Sequence, residues 1–235
     1  WYCYVFQDHG AVGRTPILTT MTWEDGWPVV GADGKVPKTA KIPVAGNEKK
    51  SVVTSDEFIN SPIVRSYHSF ADTPEEAGES DYNGSNLALE WQWNHNPDDT
   101  MLKLKGGKLQ LRTMPAEQLM WARNTLTQRV IGPSSITTVE LNVKNLKDGD
   151  VAGLGNINVP CSWAGIVKDG KNIKLRCFEQ LNNDTIDKQI ALADGRIWLR
   201  FDGDFDNDQG HYEYSTDGKT FSPIGGNMKL SYQLI

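Results

Sequence analysis

Arg196-Ile-Trp-Leu-Arg-Phe201 and Thr137-Thr-Val-Glu-Leu-Asn-Val143 decide the fold class. In each, apolar and polar side chains alternate. A period of two puts one face of an extended strand in a core and the other in water. Leu109-Gln-Leu-Arg-Thr113 and His211-Tyr-Glu-Tyr-Ser215 carry the same pattern. Between such runs lie turn formers: Gly106-Gly107, Gly132-Pro133, Asp148-Gly149, Asp169-Gly170, Asp194-Gly195 and Asp217-Gly218. Short alternating strands with regular turn signals predict an all-β sandwich or barrel. Helical periodicity is weak, and its best candidate is the short run Ala116 to Arg123.

The chain has 235 residues, 24 Lys+Arg and 30 Asp+Glu, for a net charge of −6. Nucleic-acid binders carry a basic surplus, so no nucleic-acid partner is expected. The longest apolar runs fall far short of the ~20 residues of a membrane-spanning helix, so no membrane partner is expected either. Hydrophobic residues are 38% and charged residues 23%, ordinary for a folded chain. The first residue is Trp1 rather than Met, which reads as a trimmed start.

Composition divides the chain. Gly31 to Lys50 is rich in Gly, Pro, Lys and small residues and reads as a linker. Before it, three strands are predicted at Tyr2 to Gln7, Thr15 to Trp23 and Trp27 to Val30. About 30 residues cannot bury a core of their own, so this piece must pack on something else. Ala71 to Ser85 is polar and acidic and reads as a long loop. The expected domains are therefore residues 1–46 and 52–235. Three cysteines, Cys3, Cys161 and Cys177, make no disulfide framework. A hairpin turning at Asp169-Gly170 sets Cys161 and Cys177 one register step off opposite positions. Free thiols are therefore expected.

Four stretches carry candidate chemistry. Gln7-Asp-His-Gly-Ala-Val-Gly-Arg14 sets a His and an Arg around two glycines. Such a loop either delivers His9 and Arg14 into a cavity or simply connects two strands. Leu89-Glu-Trp-Gln-Trp-Asn-His-Asn-Pro97 alternates indoles with carboxylate and amide groups. Trp91 and Trp93 either stack on sugar rings or fill a core, and Gln92 and Asn94 point the other way. Arg123-Asn-Thr-Leu-Thr-Gln-Arg129 offers polar residues on both strand faces, including Gln128 and Arg129. Asn124, Leu126 and Gln128 share one face; the other, with Arg123, Thr125, Thr127 and Arg129, either contacts a ligand or neighbouring domain or is a solvated sheet face. Asp202, Asp204, Asp206 and Asp208 form an acidic loop whose first members have EF-like spacing. Asn207 occupies the position where an EF-hand needs Gly, and the flanks read as strands, so an EF-hand is rejected. A calcium loop on a sandwich and a solvated turn remain. His68, His95 and His211 stand apart, with no nucleophile motif beside them.

Taken together, these strings resemble a known family. Phe6-Gln-Asp-His-Gly-Ala-Val-Gly-Arg14, Trp23-Glu-Asp-Gly-Trp-Pro-Val29 and Gly34-Lys-Val-Pro37 resemble the last blade of a glycoside hydrolase family 43 catalytic propeller. Leu89 to Pro97, Ala122 to Arg129, Asp148 to Leu154 and Tyr214 to Gly218 are similar to the concanavalin-A-like module that follows it. The resemblance implies a jelly-roll β-sandwich preceded by a partial five-bladed-propeller blade. It implies a β-xylosidase or α-L-arabinofuranosidase parent acting on xylan, arabinoxylan or xylo-oligosaccharide with inversion. The family's three catalytic carboxylates lie on earlier blades, and nothing here matches them. The catalytic propeller is then the expected partner. By the same resemblance, His9 would help bind a calcium ion on the propeller axis, and Arg14 would reach the sugar pocket. Ser231-Tyr-Gln-Leu-Ile235 stops short of the module's usual closing strand, so both ends read as cut. The competing readings are a stand-alone xylan-binding module and a scaffold without sugar affinity.

Overall fold

The computed structural model describes residues 1–39, 51–58, 87, 90–104 and 106–232. The predicted loop at Ala71 to Ser85, His68 and the later part of the predicted linker lie outside the described residues. Regular structure among the described residues is almost entirely β-strand. Fifteen strands form a three-stranded meander, two four-stranded antiparallel sheets and two short ribbons.

The meander comprises β1 (Tyr2–His9), β2 (Gly13–Glu24) and β3 (Trp27–Val30). The ribbons pair β4 (Gln92–Trp93) with β7 (Leu126–Thr127), and β5 (Leu102–Leu104) with β6 (Leu109–Leu111). One large sheet has the order β12 (Asp184–Gln189), β11 (Asn172–Glu179), β10 (Ser162–Asp169), β9 (Val151–Asn156). The other has the order β15 (Ser222–Lys229), β14 (Gln209–Ser215), β13 (Arg196–Asp204), β8 (Ser134–Asn142).

Alternation in β13 explains the core. Ile197, Leu199 and Phe201 are buried between the sheets, while Trp198, Arg200 and Asp202 face outward. Ala164, Ile166, Leu175 and Cys177 close the core from the opposing sheet, with Tyr212, Ile224 and Met228 beside Leu199 and Phe201. Tyr212 ties the sheets together. Its hydroxyl accepts the Asn156 N–H (3.0 Å) and donates to the Ser162 carbonyl (2.9 Å), both on the opposing sheet. Burial pushes this phenol well above its ordinary range. Tyr212→Phe strands a buried N–H and a carbonyl, so it is expected to cost about 1.5 kcal/mol in urea unfolding. An unchanged midpoint would mean that this cross-sheet link is idle.

Two predicted details are corrected. The hairpin between β10 and β11 pairs Asp169 with Asn172, so the turn is Gly170-Lys171, one residue beyond the expected position. Gly170 there has φ +56°, which favours glycine. Cys177 lies opposite Ala164, Cys161 precedes the strand, and all three cysteines are free, as expected. Burial, with Glu179 nearby, pushes the Cys177 thiol up to about 11. The best helical candidate, Ala116 to Arg123, is a single 3-10 turn at Leu119–Trp121. The Met120 carbonyl accepts from the Asn94 amide and contacts the His95 ring, so side chains take a group that a helix would use. No helix among the described residues is long and apolar enough to cross a membrane.

Candidate functional site

The short turn between β1 and β2 sits against the sandwich. Gly10–Val12 form one helical turn, with Gly10 at φ +46° and Gly13 at φ +79°. This geometry folds the chain back sharply and drives Ala11 into the main core, with Val12 packed beside it. A hydrogen bond fixes the depth: the Ala11 N–H donates to Asp208 Oδ1 at 2.7 Å, across 197 residues of sequence. Asp208 is held in turn by its own carbonyl, which accepts the Leu230 N–H at 2.8 Å. The Tyr232 ring lies so close to Gly13 that a Cβ there would meet it at 2.8 Å. Segment 130–135 joins the same junction. Gly132 abuts Val12, and the Phe205 N–H donates to the Pro133 carbonyl at 2.8 Å.

His9 and Arg14 flank this anchored turn. His9 Nε2 comes to 4.0 Å from Asp206 Oδ1. Arg14 pairs loosely with Asp8 (3.6 Å), and both side chains are more than half exposed. Arg14 and Asp8 are directly opposed in the ladder, on the face that also carries Tyr4, Phe6 and Leu18. That face is exposed: Tyr4 is 72% and Phe6 71% accessible.

The acidic loop is the hairpin between β13 and β14. Asp204 accepts from the Asp206 and Asn207 backbone N–H groups and from the Asn207 amide. The Asn207 amide leads in holding its carboxyl below the ordinary carboxylate range. Asp208 is committed to Ala11, and Asp202 points from the outer sheet face opposite His211. Among the described residues, no group of three or more His, Cys, Asp or Glu could hold a metal ion. Calcium takes six to eight oxygens, and here Asp204 and Asp208 already accept from N–H donors of the loop and of Ala11. His9 contributes one imidazole at most. The hairpin's visible work is to cap and brace the His9–Gly13 turn.

The other sequence candidates gather elsewhere. Pairing of β4 with β7 sets Gln92 opposite Thr127, so the two motif strings bind one another. The Gln128 amide is spent on Thr54: Oε1 accepts its N–H (2.9 Å) and Nε2 donates to its carbonyl (3.0 Å). Asn94 donates to the Met120 carbonyl at 3.0 Å. Gln92 and Arg129 are exposed. Trp91 and Trp93 are half-buried, and the Trp91 indole N–H donates to Asp56. The junction residues Asp208, Leu230 and Tyr232 went unread as partners of the turn, since no local signal joins positions about two hundred residues apart.

Comparison with known proteins adds the relatives. Residues 79–234 match the family model described as the β-xylosidase C-terminal concanavalin A-like domain. A putative β-xylosidase of Xylanibacter ruminicola is 30% identical over 98% of this chain and 39% of its own length. A β-xylosidase of Formosa agariphila is 27% identical over 99% of this chain and 40% of its own. The chain thus spans about two fifths of the curated relatives it matches. Among solved structures, the bifunctional GH43-CE protein of Bacteroides eggerthii has a TM-score of 0.80 at 31% identity, covering 100% of this chain and 28% of that one. An engineered family 43 glycoside hydrolase that displays both endo-xylanase and exo-arabinofuranosidase activity has a TM-score of 0.74 at 27% identity, covering 99% of this chain and 46% of that one. With the two-sheet fold and a family match over most of its length, this chain belongs to the β-xylosidase C-terminal concanavalin A-like domain family.

Proposed function

We propose that this chain is the C-terminal part of an inverting, xylan-degrading glycosidase. The β-xylosidase reading is favoured over α-L-arabinofuranosidase because both curated relatives are named β-xylosidases. Its sandwich braces the turn that presents His9 and Arg14 to the remainder of the enzyme. The observation that carries this reading is the Asp208–Ala11 bond, which fastens the turn to the sandwich core. In this reading the meander is the last blade of a propeller. Its exposed row of Tyr4, Phe6 and Trp27 is the face against which the rest of the propeller packs. Arg14, on that same face, reaches the sugar, where a guanidinium can donate to hydroxyls or orient a carboxylate. The general base and acid come from outside this chain.

The test uses the whole protein that carries this segment, with para-nitrophenyl β-D-xyloside and α-L-arabinofuranoside as substrates. Hydrolysis of the xyloside giving α-xylose as the first product, followed by NMR, is the expected result. Release of β-xylose first, or no hydrolysis of either substrate, contradicts it.

A further inference from the structure

Of the eight tryptophans, Trp1, Trp23 and Trp27 are exposed on the meander, and Trp91, Trp93, Trp163 and Trp198 are half-buried. Trp121 is the remaining one. It belongs to the sandwich side of the chain and is 59% exposed. Large aromatic side chains carry more apolar area than any others, so an exposed indole held in a fixed pose invites a ligand.

The pose of Trp121 is fixed from below. The Trp121 N–H donates to the Gln118 carbonyl, and the Ala122 N–H to the Leu119 carbonyl, which closes the 3-10 turn. Leu119 pins that turn to the sheet, since a Cβ on Gly155 of β9 would meet its methyl at 2.8 Å. The indole stacks on the His95 ring with centroids 5.9 Å apart and planes 17° off parallel. His95 is held by the Met120 carbonyl. The loop beside it is stiffened by Arg123, whose guanidinium donates to the Asn96 and Pro97 carbonyls. One indole face is therefore propped by His95, while more than half of the residue's surface is exposed.

The surroundings select the ligand. Gln118, Asn96 and Arg123 are exposed and polar, so the ring is an isolated flat apolar surface within a hydrogen-bonding rim. That is too small for a stable protein interface. It fits a neutral, flat molecule with apolar C–H faces and equatorial hydroxyls, namely a pyranose ring. We propose that Trp121, propped by His95, is a stacking platform for one xylose unit of a xylan-type chain. The choice of xylose rests on the glycosidase reading above; the platform itself does not.

The experiment titrates the whole protein that carries this segment, labelled with 5-fluorotryptophan, with xylohexaose and follows the fluorine NMR signal of Trp121, assigned through Trp121→Phe. The Trp121 signal is expected to move saturably in the millimolar range. Trp121→Ala should weaken binding at least tenfold with an unchanged circular dichroism spectrum. His95→Ala should weaken it severalfold, and His95→Phe, which keeps a stacked ring, should restore it. No shift at saturating ligand, or the same binding in Trp121→Ala, overturns the proposal. Binding through Trp121 in a protein that hydrolyses no xyloside upholds the platform and removes the glycosidase reading. Hydrolysis without binding at Trp121 does the reverse.

Discussion

Gly10→Ala should detach the His9–Gly13 turn from the sandwich and lower stability by about 3 kcal/mol. Two costs add. An alanine held in the left-handed region at φ +46° costs about 1–2 kcal/mol. Its Cβ would also stand 2.3 Å from Asp208 Oδ1 and 2.8 Å from Oδ2, so the carboxylate must move. Moving it breaks the bond to the Ala11 N–H, a charge-assisted contact of about 1.5–3 kcal/mol. Urea unfolding measures the total, and hydrogen exchange of the Ala11 amide locates it. Asp208→Ala should add little on top of Gly10→Ala, because the bond is already gone. Wild-type exchange at Ala11 in Gly10→Ala would show that Asp208 does not set this turn.

Gly153→Ala should be comparably severe, from a different cause. Gly153 and Gly165 face one another in the β9–β10 ladder. A Cβ on Gly153 would lie 2.2 Å from the Ala164 carbonyl oxygen and 2.7 Å from Gly165 Cα. Both obstacles are backbone, so no rotamer change relieves them. The edge strand β9 must pull away from β10, which also strains the Tyr212–Asn156 bond. A loss of about 3 kcal/mol in urea unfolding is expected, at the top of the usual range for overpacking because the obstacles are backbone. A loss under about 0.5 kcal/mol would mean that the two strands part freely here.

The fold was legible wherever one physical signal acted alone. Alternation marked β8, β13 and β14 because each has one wet face and one core face. Asp-Gly pairs marked strand ends because glycine tolerates positive φ. Legibility failed where a distant group took over a local one. Ala116 to Arg123 has helix-forming residues, yet Asn94 and His95 reach from another segment to the Met120 carbonyl and only one turn survives. Gln128 and Asn94 read as free amides on a strand face, but both amides serve backbone groups of neighbouring segments. The acidic loop read as a metal site or an idle turn. Its partner, the Ala11 N–H, lies 197 residues away and carries no side-chain signature. His9 and the acidic loop were each visible in the sequence; that they meet was not.

This meeting is the centre of the functional account, because it makes the sandwich a brace for Arg14. A kinetic double-mutant cycle on the whole protein carrying this segment tests it most directly, with Arg14→Ala, Asp208→Ala and the pair compared by kcat/KM on aryl xyloside. If Asp208 acts by positioning the turn, Asp208→Ala should lower kcat/KM about tenfold, or about 1.4 kcal/mol. In the Arg14→Ala background the same change should do almost nothing. Asp208→Asn, which keeps an acceptor for the Ala11 N–H, should recover most of the loss. Wild-type kcat/KM in Asp208→Ala, or effects of the two substitutions that simply multiply, would contradict the account.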